Sequence, residues 1–168
     1  SKNPFVFVGK KEYIKVPLFG SIYKRAAILV DRSSSKSRWG VYGRANKIIE
    51  QGRSVCIFPE VNYIDDTILL NFFKRGAFKL AIEHQIPIVP MTFLDCKRKF
   101  PWRPNFGFPG VLRVETFPEI QPVKTMGDIE KLQEETRDVI LMGLKLDPRN
   151  RGQKAVDLEI IIAQKKKK

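Results

Sequence analysis

Ala26-Ala27-Ile28-Leu29-Val30-Asp31-Arg32 and Ser54-Val55-Cys56-Ile57-Phe58-Pro59-Glu60 are two apolar runs, each closed by charge or proline. Both are short and end in turn-forming residues, which is the pattern of buried strands. Between them, after the loop-like Ser33-Ser34-Ser35, the period changes. Trp39, Tyr42, Ala45, Ile48 and Ile49 recur at helical spacing from about Lys36, and Gly52 supplies the stop. A strand, a helix and a strand in succession are the repeating unit of a parallel α/β sheet.

Outward from this unit the alternation continues. Phe5-Val6-Phe7-Val8, bounded by Pro4 and Gly9, predicts a first strand, and Pro17 to Tyr23 a short helix. Beyond Pro59 comes a polar loop, then a helix over Gly76 to His84. Ile86 to Phe93 reads as a fourth strand, irregular because it carries Pro87 and Pro90, and Gly110 to Phe117 as a fifth. Thr125, with Asp128 three residues on, resembles a capping box for a last long helix with Ile129, Leu132, Val139 and Ile140 on one face. The expectation is an α/β domain with a mainly parallel or mixed central sheet flanked by helices. It covers residues 1–146, followed by a basic tail at 147–168.

The 168 residues, 43% of them hydrophobic, suffice for a substantial core. Lys+Arg 31 against Asp+Glu 18 gives a formal net charge of +13, which points to a polyanionic partner: nucleic acid, an anionic membrane surface or a phosphorylated small molecule. Cys56 and Cys96 show neither a disulfide framework nor metal-ligand spacing, so a reducing compartment is expected, with Cys56 a small core residue. A single histidine, His84, excludes a multi-histidine metal site. No apolar run reaches the roughly 20 residues of a membrane span. Ser-Lys-Asn-Pro followed at once by a strand is how a fragment begins.

Phe7-Val8-Gly9-Lys10-Lys11-Glu12-Tyr13 with Ile14-Lys15-Val16-Pro17-Leu18-Phe19-Gly20, Ile28-Leu29-Val30-Asp31-Arg32, Phe58-Pro59-Glu60, and Ile86-Pro87-Ile88-Val89-Pro90 follow one another in order. Together with Phe73-Lys74-Arg75-Gly76-Ala77-Phe78-Lys79-Leu80-Ala81, they resemble the blocks of the lysophosphatidate and glycerol-3-phosphate acyltransferases. Each match alone is weak; their order and separation over Phe5 to Pro90 carry the resemblance, which fades after Phe93. It implies transfer of an acyl group from a thioester, acyl-coenzyme A or acyl carrier protein, to 1-acylglycerol 3-phosphate, with no bound cofactor or metal. It implies acceptor-site roles for Lys10, Lys11, Asp31, Arg32 and Glu60, and an acyl-donor region around Pro87 and Pro90. The physical reason suits it: cations just after parallel strands can converge on a phosphate. Without the family, surface lysines and an Asp31–Arg32 loop pair describe the same residues.

The sequence departs from that family twice. Val61-Asn62-Tyr63 stands where Gly-Thr-Arg is usual, which leaves Lys74 or Arg75 to replace the missing arginine. The family's His-x-x-x-x-Asp block, whose histidine is the general base, is missing too. His84 has no aspartate at that spacing and reads as a helix-terminal residue. The block normally lies upstream of Phe5, so the expectation is a truncated and inactive stretch of an acyltransferase. The alternative is a non-catalytic domain binding anionic lipid. Lys97 to Pro109 interleaves cations, aromatics and prolines, which suits the cytoplasmic face of a membrane, or single-stranded nucleic acid, or a rigid packed loop. No RNA-recognition or zinc pattern accompanies it, so no nucleic-acid partner is expected.

Overall fold

Ser34 opens the long helix that the sequence predicts: its hydroxyl accepts from the Ser37 N–H at 3.2 Å, satisfying one of the first-turn donors. This helix, α2 (Ser35–Glu50), ends where Gly52 adopts φ +71°. There the Gly52 N–H donates to Ile49 O at 2.8 Å and the Arg53 N–H to Ile48 O at 3.1 Å, the paired closure that glycine permits. Helix α1 (Phe19–Ala26) precedes it, so the predicted short helix exists and begins two residues later than Pro17. The computed structural model describes residues 4–31, 33–60, 68–101 and 107–150.

The chain divides into two compact units, residues 1–58 and 59–168. In the first, β1 (Phe5–Lys10), β2 (Ala27–Val30) and β3 (Ser54–Cys56) form a parallel sheet in the order β2-β1-β3. Phe7 pairs with Ala27 and Lys10 with Val30 on one side of β1, and Phe5 pairs with Ser54 on the other. Each crossover carries a helix, as parallel strands require. Helix α2 packs on β2 and β3; Val6, Ile28, Val30 and Ala45 are buried there. A 3-10 turn at Lys11–Lys15 joins β1 to α1. Tyr13 and Tyr23 meet edge to face with ring centroids 5.9 Å apart, and Phe19 stacks on Tyr23 at 5.1 Å, tying turn and helix together. Gly9 lies against the Tyr23 phenol so closely that a Cβ has no room.

The second unit holds a larger core. Leu69, Leu70, Phe73, Phe78, Ile82, Ile120, Leu132 and Leu144 are buried together. They come from the segment before α3, from α3 (Gly76–His84) and α5 (Ile129–Leu146), and, for Ile120, from the chain between the two helices. The bounds of α3 agree with those read from the sequence. Ile129, Val139 and Ile140 pack against the same core as Leu132, so the helical stripe faces inward as predicted.

The fourth and fifth strands are shorter than predicted and form a two-stranded sheet of their own. Strand β4 (Met91–Phe93) pairs antiparallel with β5 (Val114–Thr116). Ile88 makes an isolated bridge to Ile120, with reciprocal bonds of 2.9 and 2.8 Å. Pro90 breaks the ladder between them: its carbonyl accepts from the Phe117 N–H at 3.0 Å, but its nitrogen has no hydrogen to return. All three residues of β5 are exposed, so the alternation seen in the sequence does not mark a buried face. The capping box differs as well. The Thr125 hydroxyl donates to Asp128 Oδ2 at 2.7 Å rather than accepting from the backbone, and a 3-10 turn at Met126–Asp128 leads into α5.

A four-residue helix, α4 (Cys96–Lys99), follows β4. Asp147 to Asn150, where the basic tail was predicted to begin, remain attached to this unit: Asp147 is buried and Pro148–Asn150 form a 3-10 turn. Residues 151–168 lie outside the described residues. Among the described residues, no helix is long and apolar enough to cross a membrane.

Candidate functional site

Parallel strands place their carboxyl ends on one edge, and loops leaving that edge are where α/β sheets hold ligands. In the first unit Lys10 ends β1 opposite Val30, so Lys10, Lys11 and Asp31 leave the sheet side by side. Asp31 is occupied locally. Its Oδ1 accepts from the Ser33 hydroxyl at 2.5 Å and the Ser33 N–H at 3.0 Å, while its own N–H donates to Ser37 Oγ at 2.9 Å. The Ser33 hydroxyl and amide hold the Asp31 carboxyl below the usual carboxylate range, aided by the Lys11 charge. Asp31 therefore shapes the entry to α2, as an anionic brace. Arg32 lies outside the described residues.

The same unit carries a basic concavity of about 650 Å³ lined by Lys11, Arg25, Arg44, Lys47 and Arg53 over a floor that includes Val6 and Ile28. Among the described residues, no carboxylate lines it. Arg44 is held by a 2.7 Å bond from Nη2 to Leu29 O. Apart from Lys11, none of these cations was among the sequence candidates. The available signal was Arg44 and Lys47, three residues apart and so on one helix face.

Glu60 belongs to the second unit. It bridges Phe73 in antiparallel fashion, and its Oε1 accepts from the Asn71 N–H at 2.8 Å. Helix α5 supports that partner segment from behind: Arg137 donates to Asn71 O and Leu70 O, both at 3.1 Å, and Gln133 to Phe73 O at 2.8 Å. Arg137 is buried; desolvation pushes its pKa down, opposed by the charges of Asp138 and Glu60. Sequence reasoning missed Arg137, because a buried arginine serving carbonyls 66 and 67 positions away has no local signature.

Of the two cations proposed to replace the missing arginine, Arg75 is ion-paired with Glu130. Lys74 is exposed, and its backbone N–H donates to Pro59 O at 2.8 Å, beside Glu60. Pro87 is exposed and Pro90 buried at the broken ladder. His84 is the last residue of α3. In the Lys97–Pro109 stretch, two cations turn inward: Lys97 donates to Leu69 O at 3.2 Å. Lys99 is buried, with its ammonium 4.7 Å from the Phe108 ring centroid. Residues 102–106 lie outside the described residues.

The Acyltransferase family profile matches residues 1–94. A 1-acyl-sn-glycerol-3-phosphate acyltransferase from Cocos nucifera is 33% identical over 71% of this chain and 38% of its own length. One from Borreliella burgdorferi is 31% identical over 58% of this chain and 39% of its own, and one from Limnanthes alba 40% identical over 51% and 31%. The chain thus spans less than half the length of these relatives. The crystal structure of the 1-acyl-sn-glycerophosphate acyltransferase from Thermotoga maritima shares the fold, with a TM-score of 0.64 at 18% identity over 83% of this chain and 55% of that one. The parallel sheet flanked by helices and the match over more than half of the chain agree: this chain belongs to the acyltransferase family, alongside 1-acyl-sn-glycerol-3-phosphate acyltransferases.

Proposed function

We propose that this chain is part of an enzyme that moves a fatty acyl group from acyl-coenzyme A or acyl carrier protein to 1-acylglycerol 3-phosphate at the cytoplasmic face of a membrane. The observation that carries the reading is the basic concavity lined by Lys11, Arg25, Arg44, Lys47 and Arg53 in a chain of the acyltransferase family, with Lys10 and Lys11 at the strand ends. A phosphomonoester needs such clustered donors. Lys10, Lys11 and Arg32 hold the phosphate in this reading. Glu60, with Oε1 fixed by Asn71, offers Oε2 to the acceptor hydroxyl, and Lys74 lies nearby to assist. Pro87 and Pro90 border the donor.

In the reaction a general base takes the proton of the acceptor hydroxyl, the oxygen attacks the thioester carbonyl, and the thiol leaves as the new ester forms. The chain's one histidine, His84, has Val89 at the family's aspartate position. These 168 residues therefore supply binding groups without the base, and turnover by them alone is expected to be negligible. The same absence favours, as a second reading, a non-catalytic domain that binds anionic lipid.

Titration with a short-chain, monomeric 1-acylglycerol 3-phosphate and with the matching phosphate-free monoacylglycerol tests the acceptor reading. Preference for the phosphate compound, weakened about tenfold or more in Arg32→Lys because a lysine cannot hold phosphate in two-pronged geometry, is the expected result. Equal binding of the two compounds would sink it. Release of free thiol from acyl-coenzyme A by this chain alone would overturn the expected inactivity.

A further inference from the structure

Leu18 and Ile22 lie one helical turn apart at the start of α1, 92% and 68% exposed. Leu18 also has φ +61°, a conformation that L side chains rarely adopt. A leucine that is both strained and in water is costly to keep unless something covers it. The surrounding residues extend the feature. Tyr13, Val16 and Phe19 are each about half exposed. The aromatic contacts of Tyr23 with Tyr13 and Phe19 fix the 3-10 turn and α1 as one body, so the apolar residues form a constructed face.

Charge says what covers it. Between Lys10 and Ala26 stand Lys10, Lys11, Lys15, Lys24 and Arg25 against the single carboxylate of Glu12. An apolar centre rimmed by long cationic side chains matches a surface that is anionic outside and apolar just beneath. A protein partner of that make-up would need an acidic rim around a greasy pit; a bilayer with anionic lipid has both everywhere. The Lys97–Pro109 stretch is a poorer candidate, because Lys97 and Lys99 are engaged inside the protein.

We propose that the face made by the 3-10 turn and α1 docks on anionic bilayers, with Leu18 and Ile22 entering the headgroup boundary and Lys15, Lys24 and Arg25 meeting lipid phosphates. This rests on the reading of the chain as one that handles a bilayer lipid, and it locates the approach: the docking face adjoins Lys10 and Lys11.

Co-sedimentation of the chain with vesicles of equal parts phosphatidylglycerol and phosphatidylcholine, at low and high salt, tests it. Leu18→Glu/Ile22→Glu is expected to lower partitioning at least about tenfold. Lys24→Glu/Arg25→Glu is expected to abolish the preference for anionic over pure phosphatidylcholine vesicles, and both variants keep the parent circular-dichroism spectrum. Phe100→Glu, in the second unit, is expected to leave binding unchanged. If the vesicles fail to bind the chain, or if both double variants bind like the parent, the docking face is wrong. The titration with monomeric acceptor separates the two ideas. Acceptor binding without vesicle binding sinks only the docking face, and vesicle binding without acceptor binding sinks only the acceptor reading.

Discussion

Arg113 grips Asp147 with two bonds, Nη1 to Oδ1 at 3.1 Å and Nη2 to Oδ2 at 2.7 Å, joining positions 34 apart in the chain. The same guanidinium reaches Asp95, Nε to Oδ2 and Nη2 to Oδ1, both at 2.9 Å, and the Arg113 N–H adds a third bond at 3.0 Å. Both carboxylate side chains are almost wholly buried. The start of α4, the chain entering β5 and the end of α5 are thereby clamped at one point. Arg98 adds a 2.6 Å pair to Asp95 from α4.

Acid sensitivity follows from this clamp. The Arg113 bonds hold both carboxyls below the usual carboxylate range. A carboxyl with a depressed folded-state pKa stabilises the fold above its unfolded value, near about 3.9, and that contribution is lost as pH falls from there toward the folded value. The melting temperature of the second unit is therefore expected to be flat from neutral pH to about 5 and to fall steeply below about 4. In Arg113→Met the neutral-pH melting temperature drops and the acid slope flattens. A variant that melts lower but keeps the full slope would show that other carboxyls carry the effect.

The core of the second unit sets a contrast between two leucines of α5. Leu132 is fully buried, and Leu132→Ala should cost about 2–5 kcal/mol by removing contacts and leaving a cavity. Leu146 is exposed, and Leu146→Ala should change stability by less than about 0.5 kcal/mol. Denaturant unfolding followed by circular dichroism measures both; similar costs would mean that α5 presents a different face.

Gly9 has no room for a side chain because the Tyr23 phenol occupies the space. Gly9→Ala should destabilise the first unit by roughly 1–3 kcal/mol, the usual cost of overpacking. Most of that cost should vanish in a Tyr23→Ala background, since the two changes act on one contact. A double-mutant cycle in thermal unfolding that came out additive would refute the contact as the cause.

Glu60→Gln keeps an oxygen for the Asn71 N–H and so should preserve the fold, while removing the charge that the proposed acceptor role requires. Acceptor affinity is expected to fall by about 1.5–3 kcal/mol, the range of a hydrogen bond to a charged group. Arg137→Met should weaken stability and acceptor binding together, because the Leu70 and Asn71 carbonyls lose their donor. Unchanged calorimetric affinity in Glu60→Gln would reduce Glu60 to a loop anchor.

What the sequence determined by itself is the set of elements whose causes are local. Helix α3 was legible in full, and α2 by its period and its Gly52 stop, because caps and periodicity act within a few residues; that Ser34 caps α2 was not read, since Ser33-Ser34-Ser35 reads equally well as loop. The three parallel strands were legible as short apolar runs closed by charge or proline. The spaced blocks from Phe7 to Pro90 were enough for the family. Lys10, Lys11 and Asp31 at the strand ends followed from the same reading. Only the tertiary structure decided how Pro90 splits a predicted strand into a bridge and a separate antiparallel pair, because a missing donor matters only once a partner strand is in place. It alone showed that Arg75 is paired with Glu130 and that Lys99 folds back over Phe108, since a cation in sequence carries no sign of its partner. Arg113 between Asp95 and Asp147, and Arg137 beneath Asn71, join residues many positions apart. Such pairings exist only after the chain has brought distant segments within bonding distance, where burial makes each unsatisfied charge expensive.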